Sequence, residues 1–322
     1  MTIQNAFTGL LRAASRIVGS VAPAGNVYYV KLKTDQDYTQ FYTKNFHVNL
    51  AGQKSIHNTL LGAIGACNAN AGDQILVCAG FTGNISSATA LAINKAGIRL
   101  IGLGVGNNRP IITVDTGATS TIVVSAANVL IQNFIFVANF AAIASLFTLT
   151  TAKDFQLLNC EFRDTSSVLN FDAIVTTDTT SNDADGLTIQ GCMRIGAGAD
   201  SNTTIISMLG TNDRLYVQGN YFAHAATTTG GLMIIATGKI VTNARILDNI
   251  CNFVASSGAN TGLLITTNGS TNSGIVGGNF VQALDATSPI LVTASSGFIY
   301  SKPNWYTHTA DKSGYALPPA DS

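Results

Sequence analysis

Residues 155–162 read FQLLNCEF, and their spacing decides the fold. Phe155 and Leu157 stand two apart, the polar Asn159 follows two further on, and Cys160 comes directly after it as a stacking residue. The same register recurs upstream as Ile98, Leu100, Gly102, Leu103 and as Val129, Ile131, Asn133, Phe134. Downstream it reads Leu187, Ile189, Gly191, Cys192, then Leu215, Val217, Gly219, Asn220, then Ala244, Ile246, Asp248, Asn249. A weaker copy is Gly274, Val276, Gly278, Asn279. The fourth residues lie 31, 26, 32, 28, 29 and 30 positions apart, a scatter that loops of unequal length explain. Asn128, Asp154, Asp185, Asp213, Asn243 and Asn272 stand just before the first strands, where a turn needs local side-chain hydrogen bonds.

A second alternating segment falls between these strands, at residues 121 to 124, 146 to 149, 205 to 209, 232 to 235, 263 to 265 and 290 to 292. Each coil therefore has at least two strands. Short alternating strands cannot bury their inner faces alone, whereas coils stacked at the strand spacing of about 4.8 Å share one continuous core. The spacing predicts an all-β fold, a right-handed parallel β-helix of about eight coils, roughly 40 Å long at that spacing. Phe136, Phe162, Phe222 and Val281, two positions after the stacking residue, form an interior aromatic ladder that Arg194 and Cys251 interrupt. A twisted β-sandwich is the alternative, but its hairpins need turn signals about every 8 to 12 residues.

Composition agrees. The chain of 322 residues is 46% hydrophobic and only 11% charged, with 31 glycines and a single glutamate, Glu161. Such usage favours strands and turns over helices. Seventeen basic residues balance seventeen acidic ones, so no summed field steers the protein toward nucleic acid or an anionic membrane. A surface this poor in charge stays soluble when neighbours cover it, which points to assembly. Cys67, Cys78, Cys160, Cys192 and Cys251 are odd in number and lack metal-site spacing, so they read as reduced core thiols. Cys160 and Cys192 share a register position and should stack on adjacent coils. The N-terminus has no signal-peptide pattern and no run of 18 apolar residues occurs, so the chain is expected to be made in a cytoplasm and to stay soluble.

Three segments follow: an arm and pre-cap region over 1–51, the β-helix over 52–302, and a tail over 303–322. Phe7, Leu10, Leu11, Ala14, Ile17 and Val18 lie at helical spacing over residues 5 to 18, as a cap on the chain's own core or as an arm for a partner. Ile56, Leu60, Leu61 and Ile64 predict a helix over 55–67 that closes the open end of the stack. Tyr28, Tyr29 and Val30 suggest a strand, residues 33 to 50 a polar loop bearing Tyr38, Phe41, Tyr42 and Phe46, and the tail from Pro303 an extended segment. Trp305, Tyr306 and Tyr315 in the tail are interface candidates alongside Phe7, Leu10, Leu11 and Ile17.

The stretch from Ser55 to Ile85, with "NAGDQILVCAGFTGNI", followed by coils of the "GLTIQGC" and "RLYVQGNYF" kind, resembles the pectate-lyase-like β-helix superfamily over residues 52 to 300. Within it the short form with an N-terminal arm looks like structural proteins of tailed phages, either trimeric capsid-decorating proteins or short tailspike-like proteins. That resemblance implies a virion location, a homotrimer, and the major capsid protein or other virion proteins as partners. It leaves a glycan ligand open.

Enzymes of the superfamily cut polysaccharides, and its lyases use clustered acidic calcium ligands with a basic residue. The densest acidic region is Asp164, Asp172, Asp178, Asp183 and Asp185 with Glu161 and Arg163 beside it. Most of these fall in a long loop between coils, where solvated charge is the ordinary reading. Glu161, Asp164 and Asp185 are the best trio for glycoside hydrolysis, which needs two carboxylates about 5 to 9.5 Å apart. No aromatic sugar platform gathers beside them. His47, His57, His224 and His308 are dispersed without metal-ligand spacing, His57 being expected on the cap helix and His224 in a coil loop. "GLGVGNN" at 102 to 108 imitates a phosphate loop, but Pro110 and β-branched residues follow it instead of a helix. No catalytic residue, cofactor or metal is expected. The sequence predicts a non-enzymatic virion protein that decorates a capsid as a trimer, with a polysaccharide-binding or depolymerising spike as the alternative. Residues 1 to 25 and 303 to 322 should clasp neighbouring subunits or the particle. Packing of copies side by side is argued from Phe140, Ile143, Phe147 and Leu169, apolar residues placed in or beside coil loops that a lone cylinder would expose, while the number three is what the resemblance implies.

Overall fold

A computed structural model describes residues 25–45, 54–87, 91–196, 204–223, 231–253, 263–266, 271–283, 290–291, 297–301, 304–307 and 315–316. The helix expected over residues 5 to 18, with Phe7, Leu10, Leu11 and Ile17, lies outside these residues, as do His47, His224 and His308. The described residues form a parallel β-solenoid. Eight coils each give one strand to each of three parallel sheets, so the last of them lies about seven turns from the first.

One coil shows the plan. Leu130–Gln132 lies in sheet one, Ile135–Ala138 in sheet two and Phe147–Leu149 in sheet three. Sheet one carries the register read from the sequence, with Leu157 between Ile131 and Ile189, and Val217 between Ile189 and Ile246. Sheet three is the second alternating segment. The extra division arises at the small or polar residue of the motif. Asn133, Asn159, Gly191, Gly219, Asp248 and Gly278 all take φ between 53° and 69°, the left-handed region that asparagine, aspartate and glycine tolerate best. That single residue turns the chain out of sheet one into sheet two, so what reads as one long strand is two. A second left-handed corner precedes sheet one at Asn128, Asp154, Gly186, Arg214 and Asn243. Glycine at 186 leaves room for the Asp154 carboxylate, whose Oδ1 would stand 2.1 Å from a Cβ there and would have to move.

The stacking residue sits just past the first corner and points inward. From Phe134 through Cys160, Cys192, Asn220, Asn249 and Asn279 to Asn304 each is buried. The asparagines form a ladder: Asn220 Nδ2 donates to Asn249 Oδ1 (2.9 Å), Asn249 to Asn279 (2.9 Å) and Asn279 to Asn304 (2.8 Å). Each amide also donates to a main-chain carbonyl one coil back, Asn220 to Ile189 and Asn249 to Val217. Each Oδ1 accepts a main-chain N–H, so the bend leaves no buried donor unpaired there. Cys160 and Cys192 continue the ladder with thiols donating to the corresponding carbonyls of Ile131 and Leu157. All five cysteines are free and buried, as expected. Burial pushes the Cys67 thiol up to about 12 and that of Cys78 to about 11.

Two positions further on lies the inner column of sheet two. Phe136 and Phe162 stack with centroids 6.0 Å apart, and Phe222, Cys251 and Val281 follow in register. Arg194 stands between Phe162 and Phe222, fully buried. Its guanidinium meets Asp164 Oδ2 at 3.1 Å and donates to the Phe171 carbonyl at 2.6 Å. A buried arginine persists only when paired in this way.

The first end is sealed by Leu60–Ala66, a helix shorter than the expected 55–67. Thr59 caps it, its side chain accepting from Gly62 N at 3.1 Å. Leu60, Ala63 and Ile64 face the core, whereas Leu61 is half exposed, one residue round the helix from that face. Ile56 and His57 precede the helix as a strand, so His57 is not on it. Val27–Val30 is the expected Tyr-Tyr-Val strand, and it joins sheet one between Ile56–His57 and Gln74–Val77. Residues 33 to 50 do not form only a loop: Tyr38–Lys44 is a helix held by Lys31, which pairs with Asp35 and Asp37. At the other end the tail is not merely extended. Trp305–Thr307 adds to sheet two beside Phe280–Ala283, and Tyr315–Ala316 pairs with it antiparallel, covering the last parallel edge.

Candidate assembly surface

The acidic residues do not converge. Glu161 and Asp164 sit on one strand, Glu161–Asp164, three residues apart, so alternation sends them to opposite faces of sheet two. Asp164 points inward to Arg194. Glu161 points outward, is nearly buried, and is clamped by Arg109 and Arg163. Burial alone would raise its carboxyl, but Arg163 and then Arg109 outweigh it and hold the group below its ordinary value. Asp185 lies at the other corner, where its Oδ1 accepts from Asp213 N at 2.8 Å. The expected placement of this acidic region in a loop holds for Asp178, Asp183 and Asp185 but not for Glu161 and Asp164. Among the described residues no group of three or more His, Cys, Asp or Glu is placed to hold a metal ion, and no helix is long and apolar enough to cross a membrane.

Three of the loop residues expected to expose apolar surface do not. Ile143 and Phe147 are fully buried and Phe140 packs against the core, whereas Leu169, bridged to Ala141, is only half-buried and its neighbour Val168 is exposed. Phe140, Ile143 and Phe147 fill their own coil. A contiguous column of exposed apolar residues lies instead one position past the stacking residue. There the pairing of sheet two aligns Ile135, Glu161, Met193, Tyr221, Ile250, Phe280 and Trp305 in one outward column. Tyr221 is 41% exposed, Ile250 47%, Phe280 39% and Trp305 45%, while their immediate inward neighbours Phe222, Cys251 and Val281 are fully buried. Ile195, 47% exposed, widens the stripe.

No family model matches the chain, and no curated protein matches it.

The same column is covered at its first members. Ile135 has no exposed surface although its register points it outward. The loop after Gly102, expected to imitate a phosphate loop, makes a three-residue turn at Gly106–Asn108 and sends Arg109 across this face. Arg109 reaches Glu161 and the Asn159 carbonyl, and Arg163 Nη2 donates to Asn107 Oδ1 at 2.8 Å. Val105 at the loop's crest is 84% exposed. Of the interface residues expected from the sequence, Trp305 belongs to the column, and Tyr306 and Tyr315 pair through their backbones next to it. Met193, Tyr221, Ile250 and Phe280 were legible from the motif, since alternation places the residue after a buried stacking position outward.

A polar groove of about 440 Å³ runs along the corner between sheets one and two. Asn159, Gln190, Gln218 and Asp248 line it, and Gly191 and Gly219 leave it open where other coils carry a side chain.

Proposed function

We propose that the chain is a non-enzymatic structural protein of a bacteriophage virion, a homotrimeric decoration or cement protein of the capsid that is made in the host cytoplasm. The observation that carries this reading is the outward apolar column on a β-solenoid whose first end is sealed by a helix. Exposed contiguous apolar surface marks a contact with another protein, and a rod with one such stripe is suited to association side by side. The charge-poor composition and the resemblance to phage structural proteins support it further. Its partners are copies of itself and the major capsid protein or other virion proteins, without nucleic acid or membrane. Mass spectrometry and electron microscopy of purified native particles test the reading. The chain should be present in many copies on the capsid surface, and its absence from the particles overturns the proposal.

A second reading, a polysaccharide-binding or depolymerising spike, draws on the groove, whose amides and Asp248 carboxylate offer donors and acceptors that suit sugar hydroxyls. It would displace the first if host polysaccharide were cleaved and Glu161→Gln abolished the cleavage.

A further inference from the structure

We infer that the column Met193, Tyr221, Ile250, Phe280, Trp305 docks against the same column of a second copy of this chain, with the two solenoid axes side by side and pointing the same way. The inference rests on the self-assembly reading above and names the surface and the orientation.

Three observations select a second copy as occupant. The apolar side chains repeat once per coil, so the stripe runs over four steps of about 4.8 Å, or about 19 Å. Another copy presents the same period and lets each layer meet its like. The adjoining outward strand positions are Ile195, Ala223, Asn252 and Gln282, so among the described residues the strand face beside the column is uncharged, Asp248 at the corner being the carboxylate nearest it, and identical faces approach with little repulsion. The chain also covers this column itself where it has a segment to do so, with Arg109 reaching over to Glu161 and Ile135 fully buried, and leaves Tyr221, Ile250, Phe280 and Trp305 exposed.

The raised loop sets the direction. It stands over the face at Glu161, three coils before Ile250. With axes opposed and Ile250 facing Ile250, the loop of each copy would press on the Tyr315–Ala316 strand of the other. Contact would be blocked at both ends, and a shift that clears it by centring on Phe280 leaves only the Ile250, Phe280 and Trp305 layers in contact. With axes aligned the loops meet only at one end, where the first coils splay apart while the last five close on each other.

Disulfide cross-linking of the full chain tests this, because the native cysteines are buried and do not compete. Tyr221→Cys, Ile250→Cys and Phe280→Cys are each oxidised mildly, with Arg245→Cys on the exposed face of sheet one as control. Aligned axes bring each new thiol to its own copy, so all three should give a cross-linked dimer band about tenfold or more above the control, as face-to-face thiols react at high effective concentration. Cross-linking at just one of the three means opposed axes centred on that layer and overturns the inference. An oligomer by sedimentation that cross-links at none of the three overturns it too, while leaving self-assembly standing. A monomer by sedimentation removes the self-assembly reading itself.

Discussion

At the corner after sheet one, a buried asparagine amide supplies the hydrogen bonds that the turning backbone cannot make with itself. Asn249 carries most of this load, since it donates to the Val217 carbonyl and to Asn279 and accepts from both the main chain and side chain of Asn220. Asn249→Ala leaves several of these groups buried without partners, and each such group costs roughly 1 to 3 kcal/mol. Chemical denaturation should show a loss of about 3 kcal/mol for Asn249→Ala against about 1 kcal/mol for Cys192→Ala, whose thiol is only a weak donor. Equal losses would mean that the ladder is packing alone. The ladder positions were legible in the sequence because every member falls at one register. Arg194 was legible only as an interruption. Its partner Asp164 is thirty residues away, on the neighbouring strand, and spacing does not reveal an ion pair turned into a core.

Among the elements, sheets one and three follow directly from alternation, and sheet two was hidden inside the first. The reason is the one-residue corner, since Asn133 or Gly191 breaks the strand without any polar run that would announce a loop. The helix Tyr38–Lys44 was missed although Tyr38, Phe41 and Tyr42 stand at helical spacing, because the stretch is short and polar otherwise and none of its residues is buried. The Arg109 to Glu161 clamp was missed as well, because it joins a loop to a strand two coils on. That clamp predicts an acid sensitivity. Glu161 has its carboxyl held below the ordinary value of 4.5, so its contribution is present above that value and is lost as pH falls through the lowered one. In denaturation at about pH 7 the native chain should exceed Glu161→Gln in stability, and the gap should narrow by about pH 3. A gap independent of pH would mean that the carboxylate charge contributes nothing.

On the scale of the whole molecule, a solenoid has one interior, and any further apolar surface must find its cover elsewhere. Sequence reasoning anticipated such surface but placed it in the loops, at Ile143 and Phe147, which the coil itself buries. The column at Tyr221, Ile250, Phe280 and Trp305 takes that role, and the assembly account rests on it. Sedimentation velocity of the full chain at micromolar concentration tests it most directly, beside the double variant Ile250→Asp, Phe280→Asp. Three chains of 33.5 kDa predict a native species of about 100 kDa. The variant should sediment as a single chain with its β-sheet circular dichroism intact, because both substitutions lie on the solvent side of the strand. A native chain that is monomeric, or a variant that keeps the native mass, would contradict the account.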